Sequence, residues 1–126
     1  MRRFGLIGRP LGHSNSARYF TAKFEREHID AEYGLYELQE IAALDAVLPD
    51  DMEGFNVTIP YKKDVIAYLD DVSDEARAIG AVNCVKCRGG RRVGFNTDIE
   101  GVRRSLDRLL GDGAAVKAML LGTGGA

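Results

Sequence analysis

The sequence is poor in the features that would place it in a specialised class. It has only two cysteines. They form a single C-x-x-C, Cys84 and Cys87, and no second pair exists to complete a zinc shell. The pair lies in Ala81-Val82-Asn83-Cys84-Val85-Lys86-Cys87, which reads as a strand. Positions i and i+3 of a strand point to opposite faces, whereas the redox form of the motif sits at a helix N-terminus. Two buried or half-buried thiols are expected, and no metal site. Charge of one sign is also lacking: the net charge is −2, with both signs interspersed. That leaves no electrostatic footprint for nucleic acid or an anionic membrane. The basic N-terminus, Met1 to Gly8, has too short an apolar run for a signal-peptide core. No stretch approaches the length of a transmembrane helix. No internal repeat or low-complexity segment is visible. A cytoplasmic location is the expectation.

What is present is an ordinary soluble composition, 45% hydrophobic and 29% charged over 126 residues. That is enough for one domain with a real core. Phe4 to Gly8 reads as a buried strand bounded by glycine. A turn-rich loop, Arg9 to Ser16, leads to a helix marked by Tyr19, Phe20 and Phe24, with Ser16 or Ser14 as its N-cap. Ala31–Leu38 alternates like a strand, Glu40–Leu48 like a short helix, and Gly54–Ile59 is a third strand. Lys63–Leu69 is a helix broken by Asp70 and Asp71, and Ser73 opens another that ends near Gly80. Val82–Cys87 and Arg92–Phe95 flank the hairpin signal Arg88-Gly89-Gly90-Arg91. Thr97-Asp98-Ile99-Glu100 has the form of a capping box. Ile99, Val102, Leu106, Leu109 and Leu110 then recur at helical spacing, before Gly111 and Gly113 stop the helix. Val116–Leu121 has a buried-strand pattern. Such alternation argues an α/β fold with a largely parallel sheet and one antiparallel hairpin.

Asn56-Val57-Thr58-Ile59-Pro60-Tyr61-Lys62 stands out as a site. The β-branched Val57, Thr58 and Ile59 favour an extended backbone, and Pro60 stops it. Asn56, Thr58 and Lys62 therefore fall at a strand's C-terminal end, where open α/β sheets bind ligands. An amide, a hydroxyl and an ammonium there suit a small polyhydroxy acid. Local backbone bonding by Asn and Thr, and a solvated Lys, is the plainer alternative. Ser14 and Ser16 would share that edge if the strands are parallel, with helix capping as their alternative. The chain closes on Gly122-Thr123-Gly124-Gly125-Ala126. A glycine-rich loop straight after an apolar strand is how a dinucleotide-binding unit begins, but the helix that should follow is not in the sequence.

Together these stretches resemble the shikimate dehydrogenases in order and spacing. Gly5-Leu6-Ile7-Gly8 with His13-Ser14-Asn15-Ser16 resembles that family's G-x-I-G…H-S-x-S. Asn56 to Lys62 matches its N-V-T-x-P-x-K, and Ala81-Val82-Asn83-Cys84 resembles A-x-N-T. Gly94-Phe95-Asn96-Thr97-Asp98 matches G-x-N-T-D, and the last five residues resemble the opening of a G-x-G-G-A cofactor loop. The resemblance implies reversible reduction of 3-dehydroshikimate to shikimate with NADPH. It implies that Ser14, Ser16 and Thr58 hold the substrate carboxylate and that Asn83 bonds substrate hydroxyls. Lys62 and Asp98 would act at the reacting centre, and Gly122, Gly124, Gly125 and Ala126 would touch NADP. Asp98 also has a structural alternative, as an acid in the first turn of a helix. His13 is given only a loop-shaping part.

The implied architecture is a three-layer α/β/α open, mainly parallel sheet over residues 1–97, binding shikimate. A connecting helix over 98–113 follows, then the first strand and glycine loop of a truncated cofactor domain over 114–126. The sequence departs from the family at Cys84, where threonine is usual, and at Ala17 to Thr21, where P-x-x-H-N is usual. Expected partners are the small-molecule substrate and, as an open alternative, a second copy in a homodimer; nucleic acid and membrane are not expected. An NAD-using quinate/shikimate dehydrogenase and a non-catalytic small-acid binding module are the rival readings.

Overall fold

A single sheet organises the computed structural model, which describes residues 1–12, 14–111, 117, 119 and 121. His13, the strand expected over Val116–Leu121 and the loop of Gly122, Gly124, Gly125 and Ala126 lie outside the described residues, wholly or in all but isolated positions. The strands are β1 (Arg2–Gly8), β2 (Ala31–Glu37), β3 (Met52–Val57), β4 (Asp71–Val72), β5 (Cys84–Arg88) and β6 (Arg91–Phe95). They form one six-stranded sheet in the order β2-β1-β3-β5-β6-β4. β2, β1 and β3 run parallel, β5 is antiparallel to both neighbours, and β4 is parallel to β6. β6 therefore points the same way as β1 and β3.

The two connections around β1 use opposite faces. Helix α1 (Ser16–Arg26) links β1 to β2. Its Phe20 and Phe24 pack with Leu6, Leu11 and Tyr33 on one face of the sheet. A 3-10 turn over Ile41–Ala43 and the short helix α2 (Leu44–Val47) link β2 to β3. Leu44 and Leu48 join Ile7, Phe55, Val57, Val65, Val82 and Val85 in the main core on the other face. With β1 between β2 and β3, the chain leaves the sheet in opposite directions from neighbouring strands. That switch point opens a crevice at the carboxyl ends of β1 and β3.

Several local expectations need correction. Residues expected to form a helix over Lys63–Leu69 form a 3-10 stretch, Asp64–Tyr68. β3 ends at Val57, short of Ile59, because the Thr58 carbonyl turns to accept from Tyr61 N at 3.1 Å. β4 was invisible as a strand: two residues carry no periodicity. It is held instead by Asp70 N to Arg92 O and Ser73 N to Gly94 O, both 2.9 Å. The hairpin is as expected, with φ +57° at Gly89 and +77° at Gly90, the left-handed pair that a tight two-residue turn requires. Helix α3 (Asp74–Ile79) is capped by Ser73, whose hydroxyl accepts from Ala76 N. Helix α4 (Asp98–Leu110) buries none of its residues. Its expected apolar stripe is open, with Val102 at 58% and Leu109 at 79% exposure.

Candidate active site

The loops after β1 and β3, the residue before β5 and the turn after β6 all come to one edge of the sheet. Backbone bonds fix this. Thr58 N donates to Ile7 O at 3.0 Å, Val57 N to Asn83 O at 2.8 Å, and Asn83 N to Phe95 O at 3.0 Å. Ser14, Ser16, Thr58, Lys62, Asn83 and Asp98 are thereby gathered along that edge, and all are half-buried.

Ser14 is held by its N–H on Leu11 O, 3.0 Å. Its hydroxyl accepts from Ser16 N at 3.2 Å. Neither serine caps α1 in the usual sense; Asn15 occupies the cap position without a side-chain bond. Thr58 packs its methyl against Gly8, where an added Cβ would come within 2.3 Å of Thr58 Cγ2. Lys62 is anchored by its carbonyl, which accepts from Val82 N at 2.7 Å. Its Nζ donates to Asp98 Oδ2 at 2.8 Å, with the lysine side chain 17% and the aspartate 43% exposed. Such a charge-assisted bond at the rim of a core orients both groups.

Asn83 is more committed than its sequence context suggested. Its Nδ2 donates to Thr97 Oγ1 at 2.8 Å, and its Oδ1 accepts from Thr97 N at 2.9 Å. A substrate hydroxyl could use only the second amide proton or the second lone pair. The capping box also fails in its expected register. Thr97 makes no cap bond, and Glu100 pairs with Arg103 and Arg104. The cap is Asn96, whose Oδ1 accepts from Asp98 N at 2.9 Å and Ile99 N at 3.3 Å.

Tyr33, given no role from sequence, and Asn56, read there as a candidate ligand amide, complete a polar chain across the edge. Tyr33 donates its hydroxyl to Asn56 Oδ1 at 2.8 Å, and Asn56 Nδ2 donates to Asn83 O at 3.5 Å. Tyr33 is thus linked through Asn56 and Asn83 to Thr97, next to Asp98. The Tyr33 ring stacks on Phe20 with centroids 4.6 Å apart. In sequence, Tyr33 was indistinguishable from any aromatic in an alternating strand, whereas Asn96 stood at cap spacing before Asp98 and Ile99 and could have been found by it.

Burial raises the Tyr33 phenol well above the ordinary tyrosine range, opposed by the Ser16 hydrogen bond and reinforced by Cys84. The folded state therefore keeps a proton that the unfolded chain releases above about pH 10. Stability linked to this group is complete below that pH and is lost as pH rises further, by at most about 1.4 kcal/mol per unit. Tyr33→Phe should lower stability at pH 7 by roughly 1–3 kcal/mol, because Asn56 Oδ1 loses its donor. It should also flatten the alkaline decline. Urea midpoints from pH 7 to 11 check both; a parallel decline in both proteins would contradict the second expectation.

Two depressions open near this edge. The larger, about 1460 Å³, runs along the sheet and its hairpin and includes Tyr33, Asn56, Cys84 and Phe95. The smaller, about 590 Å³, is lined by Lys62, Asp98, Gly101 and Ser105. The first is the larger of the two; the second holds the ammonium–carboxylate pair. Cys84 and Cys87 are free and half-buried. Burial raises both thiols, so neither is an activated nucleophile. Among the described residues no cluster of metal-ligating side chains occurs, and no helix is long and apolar enough to cross a membrane.

The fold and the edge define an α/β domain with a lysine–carboxylate ion pair at the carboxyl ends of its central parallel strands. Comparison with known proteins narrows the class. The family model described as "Shikimate dehydrogenase substrate binding domain" matches residues 6–85. This chain belongs to that family. It is 42% identical to the shikimate dehydrogenase (NADP(+)) of Shouchella clausii, over 99% of this chain and 47% of that protein. With the enzyme of the same name from Pyrococcus abyssi the identity is 40%, over 100% of this chain and 48% of that one. The crystal structure of the Thermus thermophilus shikimate 5-dehydrogenase in complex with shikimate superposes with a TM-score of 0.85 at 36% identity, covering 99% of this chain and 49% of that chain. The chain thus spans about half the length of the relatives it matches.

Proposed function

We propose that this domain binds shikimate and 3-dehydroshikimate and supplies the substrate half of an NADP-dependent shikimate dehydrogenase. The observation that carries the reading is the 2.8 Å Lys62–Asp98 pair at the carboxyl edge of the sheet. Reduction of a ketone builds negative charge on its oxygen, and that oxygen needs a proton donor within hydrogen-bond reach. Lys62 brings charge and proton together, while Asp98 orients it and can accept from a neighbouring substrate hydroxyl. Ser14, Ser16 and Thr58 lie farther along the same edge, where their hydroxyls would take the substrate carboxylate. Asn83 would add its remaining hydrogen-bonding capacity.

NADPH, when bound, supplies the hydride. In this reading residues 1–97 form the substrate domain, 98–113 the connection, and 114–126 the start of the cofactor domain, with Gly122, Gly124, Gly125 and Ala126 at the nucleotide. The pathway role is aromatic amino-acid biosynthesis, in the cytoplasm. Calorimetric titration of the 126-residue chain with shikimate should show saturable binding that Thr58→Ala weakens by about tenfold, the loss of roughly one charge-assisted hydrogen bond. Equal heats for parent and variant would remove Thr58 from the site; a flat titration of the parent would overturn the reading.

A further inference from the structure

We propose that Asn96 is the positioning residue that sets the Asp98 carboxylate against Lys62. The proposal rests on the reading of Lys62 and Asp98 as the acid–base pair. The starting point is a weak hold: α4 carries Asp98 in a first turn that is only half-buried, and from Gly101 to Leu110 the helix is exposed. Hydrogen bonds supply the fixed reference that so little packing leaves open. Asn96 is the one buried polar residue among those described, at 7% exposure. Its amide is spent at both ends. Oδ1 takes the N–H groups of Asp98 and Ile99, and Nδ2 donates to Ala81 O at 3.1 Å.

Ala81 is itself fully buried beside Val82, and Val82 N is the group bonded to the Lys62 carbonyl. Asn96 therefore ties the backbone of Asp98 to the short segment that anchors Lys62. The acid and the base are referenced to the same two residues. The Asn83–Thr97 bonds brace the intervening residue but do not reach Asp98. Asparagine is required by this geometry because it must accept from two N–H groups and donate to a carbonyl at once. Aspartate lacks the donor, and serine is too short to hold both sides.

A double-mutant comparison on the 126-residue chain tests the assignment without any ligand. Lys62→Met should displace the Asp98 Cγ resonance in carbon-detected NMR, because it removes the bonded ammonium. In an Asn96→Ala background the same Lys62→Met change should leave that resonance unmoved, since the carboxylate is no longer held there. Asn96→Ser serves as the second variant. Its hydroxyl can still cap α4, so the helix start survives, while the tie to Ala81 O is lost; the Lys62-dependent displacement should vanish here too. An undiminished displacement in either folded background overturns the proposal.

In a two-domain enzyme carrying this domain, Asn96→Ser should lower kcat on the order of 10–100-fold with KM little changed, the cost of misplacing a reactive group. A matched change in KM alone would also overturn it. Failure of the parent to bind shikimate would strike the functional reading and leave the NMR result standing.

Discussion

Lys62→Ala, in a two-domain enzyme built on this domain, should lower kcat for NADP-dependent shikimate oxidation by roughly 10²–10⁴, the range of general acid–base contributions. Both kcat and kcat/KM should fall together, because the contact is made in the transition state. The structural grounds are the 2.8 Å bond to Asp98 and the low exposure of the lysine side chain, 17%. The backbone of Lys62 is held by Val82, whereas the adjacent Lys63 is exposed and cannot take its place. Lys62→Arg should not restore the rate, since guanidinium does not give up its proton near neutral pH and its fork needs different geometry. Steady-state kinetics of the two variants decide the matter. A kcat within about threefold of the parent, well under that range, would make Lys62 a binding residue and move proton delivery elsewhere.

The second large effect comes from a residue without a side chain. Gly8 ends β1 under the Thr58 methyl. A Cβ there would lie 2.3 Å from Thr58 Cγ2 and 3.0 Å from both Ile59 O and Leu11 Cδ2. Two of these neighbours are side chains that could yield; the Ile59 carbonyl cannot, because it accepts from Arg9 N at 3.0 Å. Gly8→Ala should therefore destabilise the domain by roughly 1–3 kcal/mol, the usual cost of overpacking. The same shift displaces Thr58, so shikimate affinity should drop by about tenfold or more, an energy of about 1.4 kcal/mol. Gly12→Ala is the control, since a Cβ at Gly12 meets nothing within 4 Å among the described residues; it should change neither quantity. Urea midpoints and shikimate titrations of the two variants separate the effects. Unchanged affinity in a destabilised Gly8→Ala would show that Thr58 does not touch the ligand.

Taken together, these variants probe one edge from three directions. Gly8 and Thr58 test its packing, Lys62 the proposed proton delivery, and Asn96 the proposed hold on Asp98. Each gives a different pattern of stability, affinity and rate, so no single loss of folding could mimic all of them.

Much of this was legible in the residues. The apolar run Phe4–Gly8 and the β-branched Val57–Ile59 at the end of the Gly54–Ile59 stretch point to strands, because both faces of a central strand must be covered. The glycine pair Gly89-Gly90 specifies its turn, because only glycine takes two positive φ values without cost. Asn56, Thr58 and Lys62 fall at a strand's end, and Ser14 and Ser16 share that edge once the strands are taken as parallel; the place of Asp98 followed only from the family resemblance. Tertiary structure decided the rest. That the amide capping α4 also reaches Ala81, fifteen positions earlier in the chain, is a contact that local spacing cannot report. Tyr33 became a donor to Asn56 only when β2, β1 and β3 lay side by side. β4 exists only because β6 offers it an edge. Periodicity records which face a residue turns to the core. It does not record which polar groups meet across strands, since those distances are set by the packed sheet.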